Sequence, residues 1–202
     1  MANNISMQEI SELVCTRISH DLVGNIGAVS NAVELLEEGD MDFLDDIKNI
    51  LKSSSFILSS RMKFFRMIFG TNNANLEQLD LVKKTTADYI KTISGNYEVS
   101  LNLDVTDGRF CKVAMLCVMI AADTFVRGGQ ISIKQDGNKL VMLTDNKSML
   151  KDKIFIIKEV VNGKMNENLA QYAPILYLKE ILRETPFSLK TLESDSLDLV
   201  VE

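Results

Sequence analysis

His20 is the single histidine in 202 residues, and Asp21 follows it directly. An imidazole suits nucleophilic chemistry near neutral pH, because the neutral ring carries one unprotonated nitrogen. A neighbouring carboxylate can orient the ring through a hydrogen bond or stabilise the positive charge that develops during attack. The surrounding stretch, RISHDLVGNIGAVSNAVELLEE (residues 17–38), has apolar residues at helical spacing, interrupted by Gly24 and Gly27. Two interior glycines cost a helix roughly 2 kcal/mol relative to alanine. Such a loss makes sense where something must approach the helix closely.

On a wheel of roughly 100° per residue with His20 at zero, Ile18, Leu22, Ile26, Val29, Val33 and Leu36 fall between roughly 160° and 240°. His20 therefore faces away from the apolar stripe. Leu13, Thr16, Arg17, Gly24, Gly27, Asn31 and Glu34 lie nearer its own azimuth. An exposed imidazole on a rigid helix, with a flat surround, is what a phosphoryl-carrying histidine needs to enter a second protein's active site. A plainer account stays open at this level: a surface histidine, a solvated Asp21, and glycines that permit tight helix packing. Arg17 likewise has two readings, a contact to acidic groups of a docking partner or an i,i+4 pair with Asp21.

The elements that position this helix are legible from periodicity. No proline occurs between Ser6 and Phe69, and the apolar spacing breaks at Glu38-Gly39-Asp40. This break predicts a hairpin of two helices of about 30 residues each, with Gly39 left-handed at the end of the first and Asp40 capping the second. Helix 2 runs through Phe43, Leu44, Ile47, Ile50, Leu51, Ile57, Leu58, Phe65 and Ile68. Acidic residues at its start and Arg61, Lys63 and Arg66 near its end complement the helix dipole, and the basic end is also available for docking. Two helices cannot enclose a core alone, so a partner hairpin from a second copy is expected. Packing on the C-terminal part of the same chain is the alternative.

The polar stretch GTNNANLEQ (residues 70–78) predicts a domain boundary, giving units 1–72 and 73–202. Beyond Leu79 the order is helix, strand YEVSLNLDV, a mostly buried helix RFCKVAMLCVMIAADTFV ended by Gly128-Gly129, and a hairpin turning at Asp136-Gly137-Asn138. A weaker helix over 154–161, another over 168–183 and a final hairpin follow. The expected class is α+β, with one mixed or antiparallel sheet covered by helices on one face.

Composition narrows the function classes. A net charge of −6 argues against the phosphate-neutralising term of nucleic-acid binding. No apolar run is long enough to span a bilayer and no signal peptide is evident, so a cytoplasmic protein without membrane partners is expected. Cys15, Cys111 and Cys117 sit in apolar stretches and read as buried free thiols, and one histidine without paired cysteines leaves no recognisable metal ligand set.

RISHDLVGNIGAVSNAVELLEE resembles the histidine box of the ChpT-type histidine phosphotransferases of alphaproteobacteria, and AADTFVRGGQISI (residues 121–133) is similar to the segment ending the central helix of their second domain. The resemblance implies a homodimer whose hairpins form a four-helix bundle, each subunit carrying a degenerate Bergerat-type (GHKL-like) ATPase domain. It further implies His20 as phosphoacceptor, Asp21 in support, and a docking surface of Thr16, Arg17, Gly24, Gly27 and Asn31. Phosphoryl would come from the receiver aspartate of a hybrid histidine kinase and pass to response-regulator receivers. Mg²⁺ would be supplied by the receiver, with no cofactor held by the chain itself.

An ATP-using kinase core would need an asparagine on the central helix to hold Mg²⁺ and glycine-rich turns to cradle phosphates. The chain instead has MLCVMIAADTFV and LTDNKSML at those places, with Asp145 as a lone acid, so ATP is not expected to bind productively. Kinases that also dephosphorylate their partners carry Thr or Asn four residues after the histidine, where this chain has Gly24. Weak or no phosphatase activity is expected. Asn25 stands where such kinases carry proline, so the helix should run straight. A structural dimerisation module and an anti-sigma-like binder remain the non-catalytic alternatives.

Overall fold

The computed structural model describes residues 5–39, 43–71, 73–93, 97–145, 149–164 and 170–202. Helix α1 spans Met7–Glu37 and α2 spans Leu44–Phe69. Ser6 starts α1 through a capping box: its Oγ accepts from the Glu9 amide at 3.2 Å while its own amide donates to Glu9 Oε2 at 2.8 Å. Gly39 closes α1 at φ +76°, the left-handed conformation that the hairpin turn demands. Asp40, expected to cap α2, lies outside the described residues.

The remainder follows as α3 (Leu79–Ile93), β1 (Val99–Asp104), α4 (Gly108–Ala122), β2 (Gly129–Asp136), β3 (Lys139–Thr144), α5 (Lys151–Val161), α6 (Ala173–Arg183), β4 (Leu189–Thr191) and β5 (Leu199–Val201). The architecture is α+β with a mixed five-stranded sheet ordered β1-β2-β3-β5-β4. Only the β1–β2 pair is parallel, because α4 is the crossover between them. β2–β3 and β4–β5 are antiparallel hairpin pairs, and β3–β5 is an antiparallel pair joined across α5, α6 and β4. Ile131, Ile133, Leu140, Met142, Leu199 and Val201 are buried, and the alternate positions along β2 and β3 are less so, as for a sheet covered on one face.

Helix α4 is buried at nearly every position from Phe110 to Ala122, consistent with its continuous apolar sequence. It ends at Ala122, earlier than the glycine pair: Thr124 Oγ1 donates back to the Ala121 carbonyl at 2.6 Å, and Phe125 bridges to Met149. Gly128, at φ +80°, serves the entry into β2, since a Cβ there would lie 2.3 Å from the Glu98 carbonyl oxygen.

Two further sequence expectations are corrected. Cys111 and Cys117 are buried, but Cys15 is exposed. Burial pushes the Cys117 thiol up to about 12. Phe43 and Ile50, placed on the apolar spine of helix 2, are also exposed, whereas Phe64 and Met67 join its buried residues. Toward the turn, Ala32 and Ile47 are still buried within the chain, while Phe43, Ile50 and Phe56 are left exposed.

Candidate functional site

The capped first turn of α1 anchors a helix that crosses the C-terminal segment and then leaves it. Ile10 and Val14 are buried in the common core, with α1 touching α6 and the short 3-10 turn at Ala170–Tyr172. On α2, Phe64 stacks on Tyr89 of α3 with ring centroids 3.8 Å apart and planes within 4°. Arg61 ties α1, α2 and α3 together at the level of the histidine. Its guanidinium donates to Thr92 Oγ1 at 3.2 Å, to the Thr92 carbonyl at 3.1 Å and to the Asp21 carbonyl. Arg61 is thus committed inward, away from the docking role open to it in the sequence.

His20 lies beside these anchors on α1, with 85% of its side chain exposed. Its Nδ1 is 3.7 Å from Asp21 Oδ1, while Asp21 itself is only 15% exposed. A Cβ added at Gly24 or Gly27 would meet nothing within 4 Å, so neither glycine serves a close approach inside the chain. Thr16 and Asn31 are exposed on the same helix, Thr16 with its hydroxyl donating to the Glu12 carbonyl at 2.9 Å.

Arg17 belongs to a different environment. Its side chain is 14% exposed, and its Nε donates to Asp21 Oδ2 at 2.9 Å. Its two terminal nitrogens grip Asp123 in a fork, at 2.7 Å to Oδ2 and 2.6 Å to Oδ1. One of them also reaches the Gln171 carbonyl at 3.4 Å. Burial alone would weaken the Arg17 charge, but the two carboxylates more than offset this and raise its pKa above the usual value. Asp123 shows the reverse balance: burial raises its carboxyl above the usual range, against the pull of Arg17.

Asp123 was not singled out by sequence reasoning. It lies 106 residues from Arg17, and no local pattern links them. The one available signal is an acid at the C-terminal cap of a helix, the end where the dipole disfavours negative charge.

Elsewhere, a cleft of about 730 Å³ opens beside the N-terminus of α4 and the end of α6, lined by Leu76, Phe110, Ile181 and Phe187 among others, and includes none of the His20 face. Between α4, α5 and α6, a void lined by Ile120, Asp123, Lys153, Ile157, Tyr172 and Pro174 has room for about 10 Å³. That is the volume of a single water.

The fold is one found in a bacterial phosphotransferase: the chain matches a solved structure of such a protein with a TM-score of 0.80, covering 100% of both chains at 21% identity. At sequence level the chain is similar to the protein phosphotransferase ChpT of Brucella abortus (strain 2308), with 26% identity over 136 residues, 66% of this chain. That match spans 64% of the relative's own length. No protein-family model matches the chain.

Proposed function

We propose that the chain is a histidine phosphotransferase of a multistep phosphorelay, accepting phosphoryl on His20 from the receiver aspartate of a hybrid histidine kinase and passing it to response-regulator receivers. The observation that carries this reading is the pairing of an 85% exposed imidazole with Gly24 and Gly27, whose missing side chains leave open space outside the chain. Likeness in sequence to a protein phosphotransferase and in fold to a bacterial one supports it.

In the transfer, Nδ1 of His20 keeps its proton and faces Asp21, and Nε2 attacks the phosphorus of the receiver's aspartyl phosphate in line. The N–P bond forms as the bond from phosphorus to the carboxylate oxygen breaks, and the aspartate leaves as carboxylate. The positive charge on the imidazole is stabilised by Asp21. Mg²⁺ belongs to the receiver and neutralises the transferring group there. A second receiver docks on the same face for the reverse step. Thr16, Gly24, Gly27 and Asn31 form this face, and Arg17 acts beneath it by holding Asp21.

The reading includes two functional units, 1–72 for dimerisation and transfer and 73–202 as a degenerate ATPase-like (Bergerat-type) domain without autokinase activity. A homodimer is proposed through the far half of the hairpin, where Ile26, Val33, Leu36, Phe43, Ile50 and Phe56 are each exposed by 39% or more. A second copy forming a four-helix bundle would cover them.

The test is acid-labile, alkali-stable phosphate on His20, measured in wild type and His20→Ala with ATP alone and with a phosphorylated receiver. Label only with the receiver, and only in wild type, is expected. Label from ATP alone would mean an active kinase site, and no label from any receiver would return the chain to the binding-module class.

A further inference from the structure

The Arg17 cluster sets two poorly exposed carboxylates on one guanidinium. Three charged groups, Arg17, Asp21 and Asp123, sit together with their side chains 14%, 15% and 20% exposed. One guanidinium is shared by two carboxylates, with Lys153 Nζ on the Asp123 carbonyl at 3.2 Å and Arg61 on the Asp21 carbonyl. Asp123 is an awkward place for an acid: it caps the C-terminus of α4, against the dipole, and burial opposes its ionisation. An apolar or neutral residue there would be easier to bury. The fork geometry explains what the acid does. Asp123 engages both terminal nitrogens of Arg17 end-on and so fixes the guanidinium, whose Nε meets Asp21. Nε takes one oxygen, Oδ2, and the other, Oδ1, is left facing His20 Nδ1.

We infer that Asp123 is a positioning residue for phosphoryl transfer: by fixing the Arg17 guanidinium end-on it holds Nε on Asp21 Oδ2 and leaves Oδ1 turned toward His20. The inference rests on the proposed role of His20 as phosphoacceptor and adds a residue from the C-terminal segment to it. Without the Asp123 carboxylate, the Arg17 guanidinium is no longer fixed end-on and is free to turn onto Asp21. A bidentate pair would then form on α1, drawing Oδ1 away from the imidazole. The neutral imidazole would lose its reason to keep the proton on Nδ1, and Nε2 would be the unprotonated nitrogen less often. Transfer from a docked receiver would slow in proportion, together with any loss of alignment.

Because His20 is the sole histidine, its ring nitrogens can be read directly in the full chain by long-range proton–nitrogen correlation spectra, taken where the imidazole is neutral. Wild type, Asp123→Asn, Asp123→Glu and Arg17→Lys are compared, with Asp21→Asn as the reference for a ring without its carboxylate. The expected result is a majority Nδ1–H tautomer in wild type and a ratio at least twofold lower in Asp123→Asn, approaching Asp21→Asn. Transfer from a phosphorylated receiver is expected to fall on the order of tenfold in Asp123→Asn, and Asp123→Glu to recover most of both. Arg17→Lys retains the charge without the fork, so it should shift the ratio too; it decides the matter if Asp123→Asn does not fold. An unchanged tautomer ratio with undiminished transfer in a folded Asp123→Asn, or in folded Arg17→Lys, would overturn the role of Asp123 and leave His20 as phosphoacceptor intact. Absence of label on wild-type His20 would instead overturn the phosphotransfer reading, and the positioning role with it.

Discussion

The two halves of the helical hairpin carry similar apolar stripes and meet different surroundings. Near the chain's C-terminal segment, Ile10 and Val14 of α1 and Phe64, Phe65, Met67 and Ile68 of α2 are buried in the common core. Near the turn, Ile26, Val33, Leu36, Phe43, Ile50 and Phe56 remain 39% to 53% exposed. Periodicity makes both halves helical, but neighbours decide which half is finished within one chain. His20 stands at the border between them. On one side Arg17 and Arg61 bind α1 to the rest of the molecule, and on the other Gly24 and Gly27 leave it bare. The histidine gains rigidity from the first half and access from the second.

The sharpest way to separate these contributions is His20→Ala. Phosphoryl acceptance should be lost completely, while urea denaturation changes by no more than about 0.5 kcal/mol, as for other exposed sites. A large loss of stability would show that the ring is part of the packing after all. Next in size is the buried half: Phe64→Ala removes a ring that is 0% exposed and stacked on Tyr89, and should cost about 3–5 kcal/mol by equilibrium denaturation. In the exposed half, Phe56→Glu should instead leave the C-terminal segment's tertiary signals unchanged and convert the proposed dimer to monomer, with the dissociation constant raised roughly a hundredfold or more in sedimentation or light scattering. Equal effects of the two phenylalanine substitutions on denaturation at low protein concentration would erase the distinction between the halves.

Smaller effects probe the bare face. Gly24→Leu should reduce receiver-dependent labelling at least tenfold by obstructing the approach to His20, with helicity by circular dichroism preserved, because the new side chain projects into open space. Gly27→Ala is the mildest change. It should stabilise α1 by roughly 0.5–1 kcal/mol in thermal or urea denaturation, and a loss instead would mean that another chain packs against this glycine.

The helices and hairpins were legible because their signals are local. The 3.6-residue spacing of Ile18, Leu22, Ile26 and Val29 marked α1, Gly39 marked its end through a conformation glycine adopts readily, and the wheel placed His20 outward. The sheet's hairpins at Gly137 and before β5 were equally local. The stop of α4 at Ala122 was misread, since the bond from Thr124 Oγ1 to Ala121 competes with the helix in a way that composition does not reveal.

What sequence could not supply were the relations between distant segments. Arg17 had two open readings, and the fork to Asp123 became visible only when α1, α4 and the turn at Ala170–Tyr172 were brought together. The exposure of Cys15 and Phe43 depended likewise on which side of each helix finds a neighbour. Spacing along the chain encodes which faces are apolar, because that follows from the dihedral repeat. It does not encode which face meets which, because that depends on shape and charge matched across the fold, and the position of Asp123 beneath the histidine is a consequence of that matching.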